Sequence, residues 1–156
     1  MSIKLDNEIT QLLESNNTVK ALATIGGHGE PYVIISDLIY PYEDGKIIFL
    51  ELLESSNTNN NLVRSIWFDK EISLGIKAGN GRSHQIRGRI VKSVIAGKVF
   101  QKYYKSVREK LGDVDLSAVW VIEPQEISNE TFEDRKKYEE TYHPFFKHLD
   151  RIAKKQ

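Results

Sequence analysis

Alternating apolar and polar positions predict six strands that follow one another as antiparallel neighbours. In the first strand, Val19, Ala21, Ala23 and Ile25 point to one face. A glycine-rich turn at residues 26–31 and a second turn containing Asp44-Gly45 separate the first three strands. The predicted strands are residues 18–25, 32–39, 46–52, 71–78, 84–95 and 117–123, the last stopped by Pro124.

Apolar residues at helical spacing predict four helices, at residues 2–16, 62–68, 97–111 and 134–155. Pro144 is expected to kink or divide the last one, with Phe146 and Leu149 of residues 145–152 packed against the body of the fold. Consecutive antiparallel strands with one mid-chain helix favour an α+β fold that is mainly antiparallel β. We expect a small barrel with helices on its outside.

The length of 156 residues fits a single domain spanning residues 1–156. Lys plus Arg and Asp plus Glu each number 22, so no overall positive field attracts nucleic acid or anionic lipid. The chain has no cysteine, which excludes disulfides and thiol catalysis. No apolar signal core or membrane-length run occurs in the sequence. We therefore expect a cytoplasmic protein without nucleic-acid or membrane partners.

An unusually polar segment joins the third strand to the short helix. Seven of the eight residues at positions 54–61 are Ser, Thr or Asn. The first N–H groups of a helix are unpaired and carry a partial positive charge, so they suit an anion such as phosphate. An ordinary helix cap by Thr58 or Asn57 within a solvated loop is the alternative interpretation.

The order of several motifs resembles the flavin-binding split-barrel family related to pyridoxamine 5′-phosphate oxidase. The resemblance covers residues 18–124 and rests on ALATIGGHGEPYV, DGKIIF, the Ser-rich segment before NLVRS, EISLGI, HQIRGRIV and VWVIEP. It implies a six-stranded split β-barrel with peripheral helices. It also implies a homodimer that holds FMN in a cleft between its subunits, with the phosphate on residues 55–61.

Carried over residue by residue, the resemblance implies a cofactor site made of polar side chains. Ser36 lies on the strand that lines the ring, and Gln85 lies on the phosphate or ribityl side. The other implied contacts are Ser55, Ser56, Thr58, Asn59 and Asn61. Thr58 stands where the family usually has a lysine or arginine. Glu51 and Glu54 bring carboxylates near the phosphate dianion, which they would repel. The candidates for a compensating positive charge are Arg64, Arg82 and Arg87.

The C-terminal sequence HLDRIAKKQ lacks the Arg-Leu-x-Pro element of true pyridoxamine phosphate oxidases, which argues against that particular reaction. No catalytic constellation can be assigned from spacing, so the catalytic residues are unknown. In an enzyme of this kind the redox chemistry would belong to the cofactor.

Several other residues are expected to be structural. The four histidines, at positions 28, 84, 143 and 148, lack the spacing of a zinc site, so no metal is predicted. The basic face of the helix at residues 97–111 is interpreted as solvated surface. Trp67 and Trp120 are expected in the core or a dimer interface rather than stacked on a flavin.

Two functions remain open on this reasoning. The first is an FMN-binding oxidoreductase or electron-transfer protein acting on a small molecule or a redox-protein partner. The second is a dimeric binding module on the same fold that has lost flavin or replaced it with haem or another ligand. Thr58, Glu51 and Glu54 motivate the second hypothesis.

Overall fold

In the computed structural model, which describes residues 3–143, four α-helices and seven strands form an α+β fold. The helices are α1 (Asn7–Glu14), α2 (Asn57–Trp67), α3 (Gly97–Leu111) and α4 (Phe132–Tyr142). The strands are β1 (Val19–Ile25), β2 (Pro31–Ile35), β3 (Ile39–Pro41), β4 (Ile47–Glu51), β5 (Ile72–Lys77), β6 (Ser83–Val94) and β7 (Ala118–Asn129). No helix in this part of the chain combines the length and the apolar character needed to cross a bilayer.

All seven strands belong to one antiparallel sheet in the order β2-β1-β5-β6-β7-β4-β3. The strands β2 and β3 lie at opposite edges, although only residues 36–38 connect them. A link this short forces the sheet to curl until its edges approach, because each residue spans at most about 3.6 Å. Main-chain bonds at both ends hold the link: Ser36 N–H donates to Lys20 O at 3.0 Å, and Leu50 N–H donates to Leu38 O at 2.9 Å. The predicted mainly antiparallel barrel is confirmed.

The prediction of six strands was wrong in two places. Residues 32–39 form two strands rather than one, because the chain leaves one edge of the sheet at Ser36 and joins the other at Ile39. The last strand does not stop at Pro124 but runs to Asn129. Pro124 is tolerated because it lies opposite Gly88 at a register shift, where Gln125 is an extra residue between the pairs Gly88–Pro124 and Arg87–Glu126.

The helix boundaries also differ from those predicted. Asp6 accepts a 2.8 Å hydrogen bond from Ile9 N–H and caps α1, which is therefore shorter than residues 2–16. The prediction that α2 begins at Leu62 was wrong, since it begins at Asn57 after the N-cap Ser56. The described part of the last helix is Phe132–Tyr142, and the expectations for Pro144 and residues 145–152 lie outside the described residues.

The core has two apolar clusters that share β4. Ile47 and Phe49 belong to the cluster inside the curled sheet, whereas Ile48 and Leu50 pack toward α3. This explains why every residue of β4 is buried. Trp120 is only 3 % exposed and belongs to the inner cluster, whereas Trp67 is 79 % exposed and is not a core residue.

Candidate functional site

A pocket of about 660 Å³ opens where β2, β4 and the start of α2 meet. We call it the β2–α2 pocket. Three of the residues predicted from sequence, Ser36, Ser56 and Thr58, line it together. Its other lining residues are Tyr32, Ile34, Ile35, Leu38, Phe49, Leu50, Glu51, Leu52, Leu53, Asp113, Val114 and Asp115. The volume and the mainly apolar wall are typical of a small-molecule site.

The polar end of the pocket is built around the N-cap of α2. Ser56 Oγ accepts a 2.9 Å hydrogen bond from Asn59 N–H, which satisfies one of the free amides of the helix start. The same hydroxyl donates to Glu51 Oε2 at 2.9 Å, and Glu51 Oε1 accepts from Leu53 N–H at 3.0 Å. Glu51 is only 6 % exposed. A buried carboxylate of this chain therefore stands beside the positive end of α2.

Two predicted asparagines have structural partners outside the pocket. Asn61 is buried and its Nδ2 donates to Thr24 Oγ1 on β1 at 3.0 Å. Asn59 Nδ2 donates to Glu54 O at 2.9 Å, and Asn59 Oδ1 accepts from Trp120 Nε1 at 3.0 Å. These amide contacts attach α2 to the barrel. Asn59 lines a neighbouring cavity of about 600 Å³ together with Trp120.

Ser55 and Gln85 do not line the pocket in the described chain. Both are exposed. Gln85 lies on β6, paired in register with Gly75 of β5, and its neighbours along the strand, His84 and Ile86, are buried. Gln85 therefore faces away from the barrel interior.

The arginines considered as compensating charges lie elsewhere. Arg82 pairs with Glu8 at 2.7 Å and with Asp134 at 2.6 Å. Arg87 pairs with Glu71 and Glu126, both at 2.9 Å. Arg64 packs over the glycine-rich turn so closely that a Cβ at Gly27 would clash with its guanidinium. Among the described residues, no lysine, arginine or histidine lines the β2–α2 pocket.

Sequence reasoning missed the loop that closes the other side of the pocket. Asp113, Val114 and Asp115 follow α3 and its C-cap Gly112, which has a positive φ of 86°. Asp115 accepts a 2.8 Å hydrogen bond from Tyr104 OH. The Gly-Asp-x-Asp sequence after an amphipathic helix signals a chain reversal, but nothing in it shows which strand the loop will approach.

A metal centre finds no support in residues 3–143, which contain no group of three His, Asp or Glu side chains close enough to hold an ion. His84 is 6 % exposed and its Nε2 lies 3.3 Å from Glu8 Oε1. Glu8 thus contacts both His84 and Arg82, and the hydrogen bond from Arg82 is the main reason that the pKa of Glu8 falls below its ordinary value.

No family model matches the chain, and no curated protein matches it in sequence. Solved structures do match it in fold. HupZ from group A Streptococcus is 18 % identical, with a TM-score of 0.68 over 82 % of this chain and 95 % of that one. An FMN-binding protein from Syntrophomonas wolfei is 14 % identical, with a TM-score of 0.65 over 79 % and 84 % of the two chains.

Two further matches carry different descriptions. A proposed pyridoxamine 5′-phosphate oxidase from Lactobacillus delbrueckii is 19 % identical, with a TM-score of 0.57 over 80 % of this chain and 93 % of that one. HutZ, a haem storage protein from Vibrio cholerae, is 14 % identical, with a TM-score of 0.55 over 81 % and 95 %. The structural similarity establishes the fold, whereas sequence identities this low do not show which ligand the chain binds. The chain has the split-barrel fold of the pyridoxamine 5′-phosphate oxidase-like proteins.

Proposed function

We propose that this protein is a homodimeric flavin-binding oxidoreductase or electron-transfer protein that holds the flavin ring in the β2–α2 pocket. FMN is the flavin that the family resemblance implies. The observation that carries the proposal is the convergence on one pocket with a mainly apolar wall of Ser36, from the link after β2, and of Ser56 and Thr58, from the start of α2. A small molecule or a redox protein would exchange electrons with the ring.

The pocket fits the two ends of FMN unequally. Tyr32, Ile34 and Phe49 belong to an apolar wall suited to a flat aromatic ring, and Ser36 lies at its edge. Ser36 Oγ accepts a 3.1 Å hydrogen bond from Leu38 N–H, which leaves its own proton for a polar atom of a ring. The phosphate end finds no cation and meets the Glu51 carboxylate instead.

The exposed apolar surface of β1 and β2 supports a homodimer. Val33 is 63 % exposed and Ile35 is 74 % exposed on β2, which is an edge strand. In register beside them lie the small side chains of Ala23 and Ala21, which leave the sheet surface flat. Ile35 also lines the β2–α2 pocket. A second copy packed on this surface would bury the exposed side chains and cover the mouth of the pocket at once.

Flavin is preferred over haem because of the chemistry of the lining. Haem iron is held by His, Met, Cys or Tyr side chains. In the described chain the pocket presents none of the first three, and Tyr32 is its one candidate ligand. The haem propionates would also meet Glu51, Asp113 and Asp115.

The test is an absorbance and fluorescence titration of the purified protein with riboflavin, FMN and haemin. We expect quenching of flavin fluorescence with saturation, and no Soret shift with haemin at matched concentrations. Leu53→Trp, which partly fills the pocket from an exposed position, should weaken flavin binding, whereas Leu111→Trp on α3 is the matched control. Absence of binding by both flavins would refute the proposal, and a Soret band with haemin alone would favour the haem alternative.

A further inference from the structure

We infer that the β2–α2 pocket recognises the ring of a flavin and not its phosphate, so that riboflavin-like ligands without a charged tail bind at least as well as FMN. The inference rests on the proposed flavin function and concerns the chemical class of ligand at that same site. Its basis is the Glu51 carboxylate, which lines the pocket beside the start of α2 and accepts the proton of the Ser56 hydroxyl.

Two donors at the start of α2, the Ser56 hydroxyl and the Asn59 amide, are already used within the chain. A serine hydroxyl has one proton, and Ser56 donates it to Glu51 Oε2 at 2.9 Å. Asn59 N–H donates to Ser56 Oγ at 2.9 Å. An incoming phosphate would have to displace Glu51 from Ser56 before it could receive that hydrogen bond. Because Glu51 is 6 % exposed, the displaced carboxylate would lose a buried partner.

The charges around the pocket also disfavour the binding of a phosphate. Glu51, Asp113 and Asp115 line it, and none of its described lining residues is a lysine or arginine. Arg108 lies 3.5 Å from Asp113 and 3.4 Å from Asp115, so those two carboxylates are partly balanced. Glu51 has no cationic partner within ion-pair distance among the described residues, and like charges near one another repel.

Removing the charge of Glu51 should change the preference for the tail. In Glu51→Gln the neutral amide can donate to Ser56 Oγ, which turns the serine proton toward the pocket, and the repulsion is lost at the same time. The ratio of the dissociation constants, FMN over riboflavin, isolates the effect of the phosphate because both ligands share the ring. Glu54→Gln is the matched control, since Glu54 is exposed and does not line this pocket.

The experiment measures this ratio by fluorescence titration for the wild-type protein, Glu51→Gln and Glu54→Gln. We expect a wild-type ratio of about one or above, a fall of about three- to tenfold in Glu51→Gln, and no change in Glu54→Gln. In the wild-type protein, higher ionic strength should also lower the ratio, because salt screens the repulsion. If Glu51→Gln does not fold, the salt dependence of the wild-type ratio tests the inference in its place.

The results separate this inference from the proposed function. Binding of FMN more than about threefold tighter than riboflavin by the wild-type protein would overturn the inference and leave the flavin proposal standing. A ratio that stays the same in folded Glu51→Gln, or that rises with salt, would overturn it as well. Failure of both flavins to bind would remove the proposed function and this inference together.

Discussion

The ammonium group of Lys20 on β1 donates a 2.7 Å hydrogen bond to the main-chain carbonyl of Ile39 on β3. These strands lie near opposite edges of the sheet, so the bond crosses the seam where the curled sheet closes. The same ammonium donates to Leu13 O at the end of α1 at 2.9 Å. With a side chain only 3 % exposed, Lys20 joins α1, β1 and β3 at a point that apolar packing alone would leave with unpaired carbonyls.

Lys20→Met should therefore destabilise the fold. The change leaves two carbonyls without their donor, and an unsatisfied buried acceptor typically costs about 1–3 kcal/mol. Urea denaturation measures the loss. Lys77→Met is the control, because Lys77 is exposed on the neighbouring β5, and equal stability of the two variants would contradict the role given to Lys20.

The stability that involves Lys20 should also depend on pH in the alkaline range. Burial lowers the pKa of Lys20 below its ordinary 10.5, with Lys110 adding to the effect and Asp37 opposing it. Between the lowered pKa and 10.5 the unfolded chain binds more protons than the folded one, so this contribution rises with pH. We expect the wild-type protein to gain stability relative to Lys20→Met as the pH rises toward 10.5. Burial raises the pKa of Tyr42 and Tyr103, but their effect cancels in the comparison.

Arg82 should control the acid stability of the contact between α1, α4 and β6. The hydrogen bond from Arg82 is the main cause that lowers the pKa of Glu8 below its ordinary 4.5. For Asp134, the hydrogen bond from Asn129 has the largest effect, and the bond from Arg82 lowers the pKa further below its ordinary 3.8. A depressed carboxyl pKa gives stability that is present above the unfolded value and is lost as pH falls through the folded value. Arg82→Gln should lower the denaturation midpoint near neutral pH, and the difference from wild type should shrink below about pH 4. A difference that persists in acid, or that Lys92→Gln reproduces, would refute this account.

Much of the sheet could be predicted from sequence because alternation and turn chemistry act locally. Asp44 and Gly45 have positive φ values of 55° and 73°, as their turn requires, and both predicted hairpins form. The start of α2 could not be predicted, since asparagine is a weak helix former. The contacts Asn61–Thr24 and Asn59–Trp120 hold it, over 37 and 61 residues of sequence. Such long-range partners leave no periodic signal.

The candidate site was predictable to the extent that it uses residues next to one another in sequence. Ser56 and Thr58 share the start of α2, and the sequence placed Glu51 near them. The Ser56 hydroxyl donates its proton to that carboxylate rather than to a ligand. This depends on where β4 places the Glu51 side chain, which the sequence does not show. The position of Asp113 at the pocket depends on how α3 packs against the sheet. Val107 is the one residue of that helix that is buried in the described chain.

The homodimer proposal predicts that Val33→Lys weakens self-association. Val33 is exposed on edge strand β2 and does not line the pocket, so a charge there should disturb the interface without filling the ligand site. Sedimentation velocity over a dilution series should show at least about tenfold weaker association for Val33→Lys. Leu111→Lys on α3 should associate normally. A wild-type protein that sediments as a monomer at every concentration would contradict the proposal.

The link between Ser56 and Glu51 predicts a specific loss of stability in Ser56→Ala. The change removes the N-cap of α2, which typically costs about 1 kcal/mol. It also deletes one of the two donors to the buried Glu51 carboxylate, so the total should exceed that of a cap alone. Ser55→Ala is the matched control, since Ser55 is exposed and should change stability by less than about 0.5 kcal/mol. In the Glu51→Gln background the cost of Ser56→Ala should fall, because the hydrogen bond between residues 51 and 56 is then a neutral one and weaker than a bond to a carboxylate. Equal costs in both backgrounds, measured by urea denaturation, would mean that Ser56 acts as a helix cap alone and that Glu51 is held in place without it.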